Sequence, residues 1–489
     1  MGVNLNLPEV EPRENRLNSI LSFHGKASEL YEKSLGGKLK MRDRTFSQCG
    51  SCASSSAFTL NAIIIDAAVV VHAPIGCAGD FAGHNHGRHQ GTLHRGLKSD
   101  NLKAISTNLE EKDTIYGGAE KLREAVREAY KRFSPKAVFV NTSCASGIIG
   151  EDIESIADEL EEELNIKIIP VYCEGFKSKI WSTGFDATAH GIVRKLVKPA
   201  TKKEDTIVNV FNFQGTHSFT GILGKIGLKP RYLFPFATVE DLEKMSEAVA
   251  STHICETLGT YVSAALEKEF GVPEVKAPVP YGITWTDEWL RDLGKITHRE
   301  ELVEKVILEE HERIRPKLEE LRRELRGKRV YILAGDSFVH SIVSSCRSLE
   351  MEVVGSVAFH HDQVYDNDYG EVNSIGNMIQ HTGDVDNYTV CNIQPYEFAN
   401  ILREIKPDLL VVRHGHISTV GSKLGIPSFQ VSDANLGIGY DGVVDLGYKL
   451  YETIKTKRMI ETIARHARLP YTKWWNEQDP YLFEPGEKQ

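Results

Sequence analysis

Gln48–Cys77, QCGSCASSSAFTLNAIIIDAAVVVHAPIGC, is the stretch on which the reading of the chain turns. A Cys-x-x-Cys set among small residues leads into the apolar run Ala67–Val71, and Pro74-Ile75-Gly76 stops that strand just before Cys77. Thiols therefore stand in a loop and just beyond a strand end. Cys144 repeats the design in KAVFVNTSCASGIIGEDIESIADELEEEL. There a strand is predicted over Ala137–Val140, Gly147 and Gly150 mark a turn, and Asp152–Leu164 has helical apolar spacing. In parallel α/β sheets the strand ends that precede helices are where ligands gather. Any one of these cysteines alone reads as a small buried hydrophobe. Three at matching loop positions predict a shared soft-metal centre, because thiolates are the ligands that iron-sulfur clusters take.

Working outward, the 489 residues imply two to four domains of about 100 to 200 residues each. Hydrophobic residues at 41% and charged residues at 26% are those of a globular protein. A net charge of -10 argues against a general nucleic-acid or membrane-surface role. Eight cysteines over this length are too few for a disulfide scaffold, which suits a reducing, cytoplasmic setting. The polar start MGVNLNLPEVEPRENRLNSI has no leader-like apolar core, and no apolar run approaches the roughly 20 residues that span a bilayer.

Strand and helix signals alternate along the chain, which predicts α/β architecture: three doubly wound parallel-sheet, Rossmann-like domains around a central cofactor cleft. Residues 1–45 read as a polar, partly helical arm that wraps a partner or its own domain and carries no chemistry. Domain I is expected over 46–200, domain II over 201–326 and domain III, with a C-terminal extension, over 327–489. The charged segment Lys198–Asp205 reads as the first linker. In HREELVEKVILEEHERIRPKLEELRRELRGK a long charged helix is expected, interrupted at Pro316 and stopped at Gly327.

Cys255, in STHICETLGTYVSAALEKEFGVP, sits at a predicted helix start, where the dipole lowers a thiol pKa. It reads as a thiolate ligand or nucleophile, and equally as a buried structural cysteine. His360 and His361 follow the strand EVVGSVAF, and His414 and His416 follow LLVV; strand ends make all four candidate proton donors or ligands. The histidine-rich GHNHGRHQGTLHRG, Gly83–Gly96, has no defensible metal spacing and is assigned to a partner or cluster-proximal surface. Cys173, Cys346 and Cys391 fall in strand or helix patterns and are expected in the core, while Cys49 is left open. No G-x-x-x-x-G-K-[ST] loop is present, so any ATP would be hydrolysed on another polypeptide.

With these residues assembled, the chain resembles an α-type subunit of nitrogenase component 1 over nearly its whole length. The resemblance rests on Cys52 in GSCASSSAF, Cys77 in HAPIGCAG, Cys144 in NTSCASGIIGEDI and Cys255 in HICETLGTYVSAALEKEFGVP. YCEGF (Tyr172–Phe176), MEVVGS (Met351–Ser356) and IKPDLL (Ile405–Leu410) add further landmarks. It implies that Cys52, Cys77 and Cys144 help hold a P-cluster-type [8Fe-7S] cluster at the boundary with a β-type subunit. It also implies that Cys255 anchors a nitrogenase-type iron-sulfur cofactor, whose heterometal the sequence leaves open. The implied assembly is an α2β2 heterotetramer fed by an ATP-dependent iron-protein homodimer.

The sequence also departs from that family. Where the molybdenum enzyme's motif carries a glutamine and a histidine at the reactive face, this chain has Trp181 and Phe185. Ser337 replaces an arginine, and Val431–Ile438 lacks the distal metal-binding histidine. An aromatic ring shapes an apolar pocket but relays no protons as imidazole does. Three functions are compatible with this pattern. One is a nitrogenase-like reductase of the methylthio-alkane reductase type, splitting small thioethers into a thiol and a hydrocarbon. The second is a dinitrogen-reducing nitrogenase, and the third a cofactor-assembly scaffold.

Overall fold

The structure is a computed structural model that describes residues 3–40, 52–79, 81–213, 217–366, 373–391, 395–413, 415–432 and 435–480. Cys49 and His414 lie outside the described residues, as do the side chains of His94 and His416. Along the chain the strands are β1 (Ser22–Gly25), β2 (Ala67–Val71), β3 (Ala104–Ser106), β4 (Ala137–Asn141), β5 (Lys167–Val171), β6 (Glu204–Phe211), β7 (Lys229–Leu233), β8 (Ala248–His253), β9 (Arg329–Ala334), β10 (Glu352–Ala358), β11 (Tyr388–Cys391), β12 (Leu409–Val412) and β13 (Ser428–Gln430). They form three sheets, ordered β3-β2-β4-β5, β7-β6-β8 and β1-β11-β10-β9-β12-β13.

Every pairing in the first two sheets is parallel. The alanine, valine and phenylalanine runs of β2 and β4 are buried along their whole length, as strands covered on both faces require. Crossover helices supply that cover: Ala119–Phe133 packs on β2 with Leu122, Val126 and Ala129 inward, and Ile153–Leu164 packs on β5 with Ile156 and Leu160 inward. Asp152 caps the latter helix by accepting a hydrogen bond from the Ser155 N–H. No helix among the described residues is long and apolar enough to cross a membrane.

Two expectations need correction. The third sheet is not wholly parallel: β1, from the N-terminal arm, adds to its edge antiparallel to β11, pairing Ser22 with Cys391 and Gly25 with Tyr388. The arm thus belongs to the core, and Arg13 and Arg16 are buried. The helix Glu300–Leu325 passes through Pro316 without a break. Val303, Ile307, Ile314, Leu318 and Leu321 form a buried stripe on both sides of the proline, against the helices Ile283–Thr297 and Gly439–Lys455. Packing of that stripe outweighs the roughly 3 kcal/mol that an interior proline costs. The histidine-rich segment forms the helix Phe81–His94, in which Arg88 and Thr92 are buried and Leu93 is exposed. Arg88 is buried, donates to the carbonyls of Ala62, Ile64 and Ile65, and pairs with Asp100. His84 bonds Thr59 and sits edge-on to Phe58.

Candidate metal-cluster sites

Cys52 caps the helix Ala53–Asn61, Cys77 lies in the single turn Ile75–Ala78 beyond β2, and Cys144 opens the helix Cys144–Ile149 beyond β4. Ser143 holds that last helix start through a capping box with Ser146, and its hydroxyl donates to the His72 carbonyl at the end of β2. All three thiols are exposed. Gly175 shows how close two of them stand. A Cβ there would lie 3.0 Å from Cys52 Cβ, 3.4 Å from its Sγ and 3.5 Å from Cys144 Sγ. Burial, with Cys52 and Cys144 close by, pushes the Cys77 thiol up. Ile75, Ile148 and Phe176, each more than half exposed, surround this face with apolar surface. A thiol triad against a bare glycine, rimmed by unburied hydrophobics, fits an iron-sulfur cluster covered by a second chain.

Cys255 is different in kind: it caps the helix Glu256–Phe270 just beyond β8 and is buried. The expected lowering of its pKa by the helix start does not win. Burial pushes the thiol up, although the Leu258 N–H and the Ser337 hydroxyl oppose this. Ser337 also accepts from the Glu256 N–H at 3.0 Å, so the residue at the family's arginine position locks the cysteine's helix to the helix Asp336–Ser348. Burial pushes the Glu256 carboxyl up to about 8.

Trp181 and Phe185 stack edge to face, 5.4 Å between centroids, and Phe185 lies 5.2 Å from Phe213. His360 meets Trp181 at 6.5 Å with the rings nearly perpendicular. The two sites are mechanically joined. Gly184 rests so closely on the Cys52 helix that a Cβ there would come within 2.0 Å of the Ala53 carbonyl oxygen.

Beneath the aromatic wall lies a buried ionic network that the sequence reading missed. Arg13 donates to both oxygens of Asp186 at 2.7 Å, to Asp362 at 2.9 Å and to the Thr257 carbonyl at 2.5 Å. One guanidinium thus ties together the segments that carry Phe185, Cys255 and His360. Arg16 adds a bond to Asp186 at 2.6 Å and another to Asp366. Asp336 accepts from the Asp362 N–H at 3.1 Å and lies 3.3 Å from His361 Nδ1. Arg413, the residue before His414, lies 5.2 Å from the Phe338 ring and 5.9 Å from Phe213. Neither nitrogen of His360 has a hydrogen bond, although the residue is 1% exposed. An orphan of this kind ordinarily costs about 1–3 kcal/mol. Such an atom, on a segment that Arg13 ties to the start of the Cys255 helix, fits a metal group held there.

The predicted residues therefore divide into two groups. Cys52, Cys77 and Cys144 come together at one surface, while Trp181, Phe185, Cys255, His360 and His361 lie on interior segments joined by the Trp181 ring contacts and by the Arg13 and Asp336 bonds. Cys173, Cys346 and Cys391 are buried, as expected.

Comparison with known proteins places the chain in a family. Residues 52–455 match the model of the Nitrogenase component 1 type Oxidoreductase family. The chain is 30% identical over 432 residues to the nitrogenase iron-molybdenum cofactor biosynthesis protein NifE of Clostridium pasteurianum, covering 83% of this chain and 86% of that protein. It is also 30% identical over 316 residues to the nitrogenase molybdenum-iron protein alpha chain of Methanosarcina barkeri, covering 62% of this chain and 58% of the other. The fold matches that of a solved structure, nitrogenase Cp1 at pH 5, with a TM-score of 0.69 at 21% identity over 89% of this chain and 94% of that one. On the family match, which spans both groups of cysteines, this chain belongs to the nitrogenase component 1 type oxidoreductases.

Proposed function

We propose that this chain is the catalytic α-type subunit of a nitrogenase-like reductase of the methylthio-alkane reductase type. The observation that carries the proposal is the edge-to-face pair Trp181–Phe185 set against His360, on segments that Arg13 ties to the start of the Cys255 helix. Two aromatic rings offer a small thioether an apolar surface and no hydrogen-bond partner beyond the indole N–H, which suits a weakly polar substrate. Reductive cleavage breaks one carbon–sulfur bond with two electrons and two protons. One proton goes to sulfur, giving the thiol, and the other to carbon, giving the hydrocarbon.

Cys52, Cys77 and Cys144 would share a P-cluster-type [8Fe-7S] cluster with a β-type subunit, in an α2β2 heterotetramer that takes electrons from an ATP-dependent iron-protein homodimer. Cys255 would anchor the iron-sulfur cofactor, which when bound supplies low-potential electrons at the substrate. The Gly184–Ala53 backbone contact keeps the helix of Cys52 and the helix of Phe185 in fixed register between the two sites. His360, His361, His414 and His416 are the proton donors the strand ends offer. His361, facing Asp336, is held where a proton can be exchanged with a buried carboxylate. Trp181 and Phe185 keep water and polar competitors from the cleft.

The test is to supply the anaerobically purified complex, its reductase and ATP with ethyl methyl sulfide or with dinitrogen. Methanethiol and ethane in equal amounts, without ammonia, are expected; ammonia with no hydrocarbon would sink the proposal. A second reading, the assembly scaffold, is favoured by the likeness to NifE. It predicts loaded clusters with turnover of neither substrate.

A further inference from the structure

We infer that His360 is a metal ligand: its Nδ1 binds the cluster anchored at Cys255, and Asp362 is the carboxylate that orients it. The inference rests on the reading that Cys255 holds the cofactor. The other buried histidines among the described residues each use at least one ring nitrogen. His72 bonds Thr107 and Glu151, His190 bonds Tyr261 and the Leu7 carbonyl, and His340 bonds Ser374 and Tyr388. His253 and His361 each use one nitrogen, on Glu274 and Asp336. His360 is buried with a hydrogen bond at neither. Native interiors leave such groups unpaired where the partner is something other than the polypeptide.

The surroundings fix which nitrogen faces that partner. Nε2 lies 3.6 Å from Asp362 Oδ2, too far for a hydrogen bond but on course for one after a small ring shift. Asp362 cannot turn away, because Arg13 holds Oδ2 at 2.9 Å and Ser19 holds Oδ1 at 2.5 Å. The perpendicular face of Trp181 limits rotation of the imidazole. A ring N–H aimed at an anchored carboxylate leaves the other nitrogen, Nδ1, as a lone pair. Metal-binding histidines are oriented in this way. Asp336 stands on the same side, with donor atoms of Asp336, His360 and Asp362 all within 4.8 Å of one another. The chain lacks a histidine at Val431–Ile438. It thus supplies its nitrogen from just beyond β10 instead, beside Trp181, and Arg13 becomes a positioning residue that acts through Asp362.

The test uses the purified complex labelled with 15N-histidine, read by pulsed electron-nuclear resonance of the reduced cofactor. A strongly coupled imidazole nitrogen is expected in the wild type and is expected to vanish in His360→Gln and His360→Phe. Asp362→Asn should keep the coupling but lose cofactor iron to a chelator about 10–100-fold more readily. Because His360→Phe removes an unpaired buried polar group from the cofactor-free protein, its melting temperature in that form should match or exceed that of the cofactor-free wild type, so lost coupling in the loaded complex is not unfolding. Coupling that survives in both His360 variants, or is absent from a fully loaded wild type, overturns the ligand assignment alone. If Cys255→Ala removes no iron, the cofactor reading falls and this assignment with it.

Discussion

Gly175→Ala is the sharpest probe of the thiol surface. The glycine's φ is not in the left-handed region, so alanine pays no backbone strain there. The added methyl would stand 3.0 Å from Cys52 Cβ, so the Cys52 side chain must retreat by a few tenths of an ångström, and it would fill the contact with Cys144 Sγ at 3.5 Å. Overpacking of this size costs about 1–3 kcal/mol in a constrained setting. The exposed thiols of the empty protein can yield, so the melting temperature should hardly move. A bound cluster cannot, because metal-ligand distances tolerate only about ±0.2 Å. Carried wholly by cluster binding, the same 1–3 kcal/mol is a roughly 5–150-fold weaker hold, at about 1.4 kcal/mol for each tenfold. The assay is iron per chain after timed exposure to a chelator. Gly221→Ala serves as control, since a Cβ there meets nothing within 4 Å. A Gly175→Ala complex that keeps its iron as long as wild type does would refute the shared-cluster reasoning.

Three further outcomes are expected. His340, fully buried between Ser374 and Tyr388, is lowered by that burial to about 4, against an ordinary 6.5. The unfolded chain therefore binds the proton first. The stability this neutral imidazole contributes is complete above pH 6.5, falls by about 2 kcal/mol at pH 5 and by about 3 kcal/mol at pH 4; His340→Gln should flatten that part of a urea-midpoint profile. Arg13→Ala strips Asp186 and Asp362 of their shared cation and should destabilise the fold by about 3–5 kcal/mol in denaturant titration, with Arg13→Lys recovering only part because one ammonium cannot span three segments. Pro316→Ala should raise the melting temperature, by up to about 3 kcal/mol of stability, since the helix already runs straight through; a drop would mean that the proline is needed for packing.

What the sequence made legible was local. The runs Ala67–Val71 and Ala137–Val140 announce buried parallel strands by composition, and the cysteines beyond them follow from strand-end geometry. The arm was illegible for the opposite reason. Arg13 reads as a solvated charge until its partners Asp186 and Asp362, 173 and 349 residues away, are brought to it. Pro316 misled because a local rule was overruled by a stripe of distant contacts. In Phe81–His94 the glycine and histidine content hides a helix, and the inward bonds of Arg88 to the Ala62, Ile64 and Ile65 carbonyls could not be read from it. The position of His360 was readable from β10, but its lack of a partner could be seen only when its neighbours were in place.

The strand that completes the third sheet comes from the start of the polypeptide and pairs with residues made about 370 positions later. At about 5–20 residues per second on the ribosome, Ser22 waits roughly 20 to 70 seconds for Cys391 to be synthesised. During that interval β1 has no β11 to pair with, and Arg13 has Asp186 in reach before Asp362 exists. Folding of this sheet therefore cannot finish before Cys391 emerges: β1 is among the last segments to lock, although it is translated long before its partner.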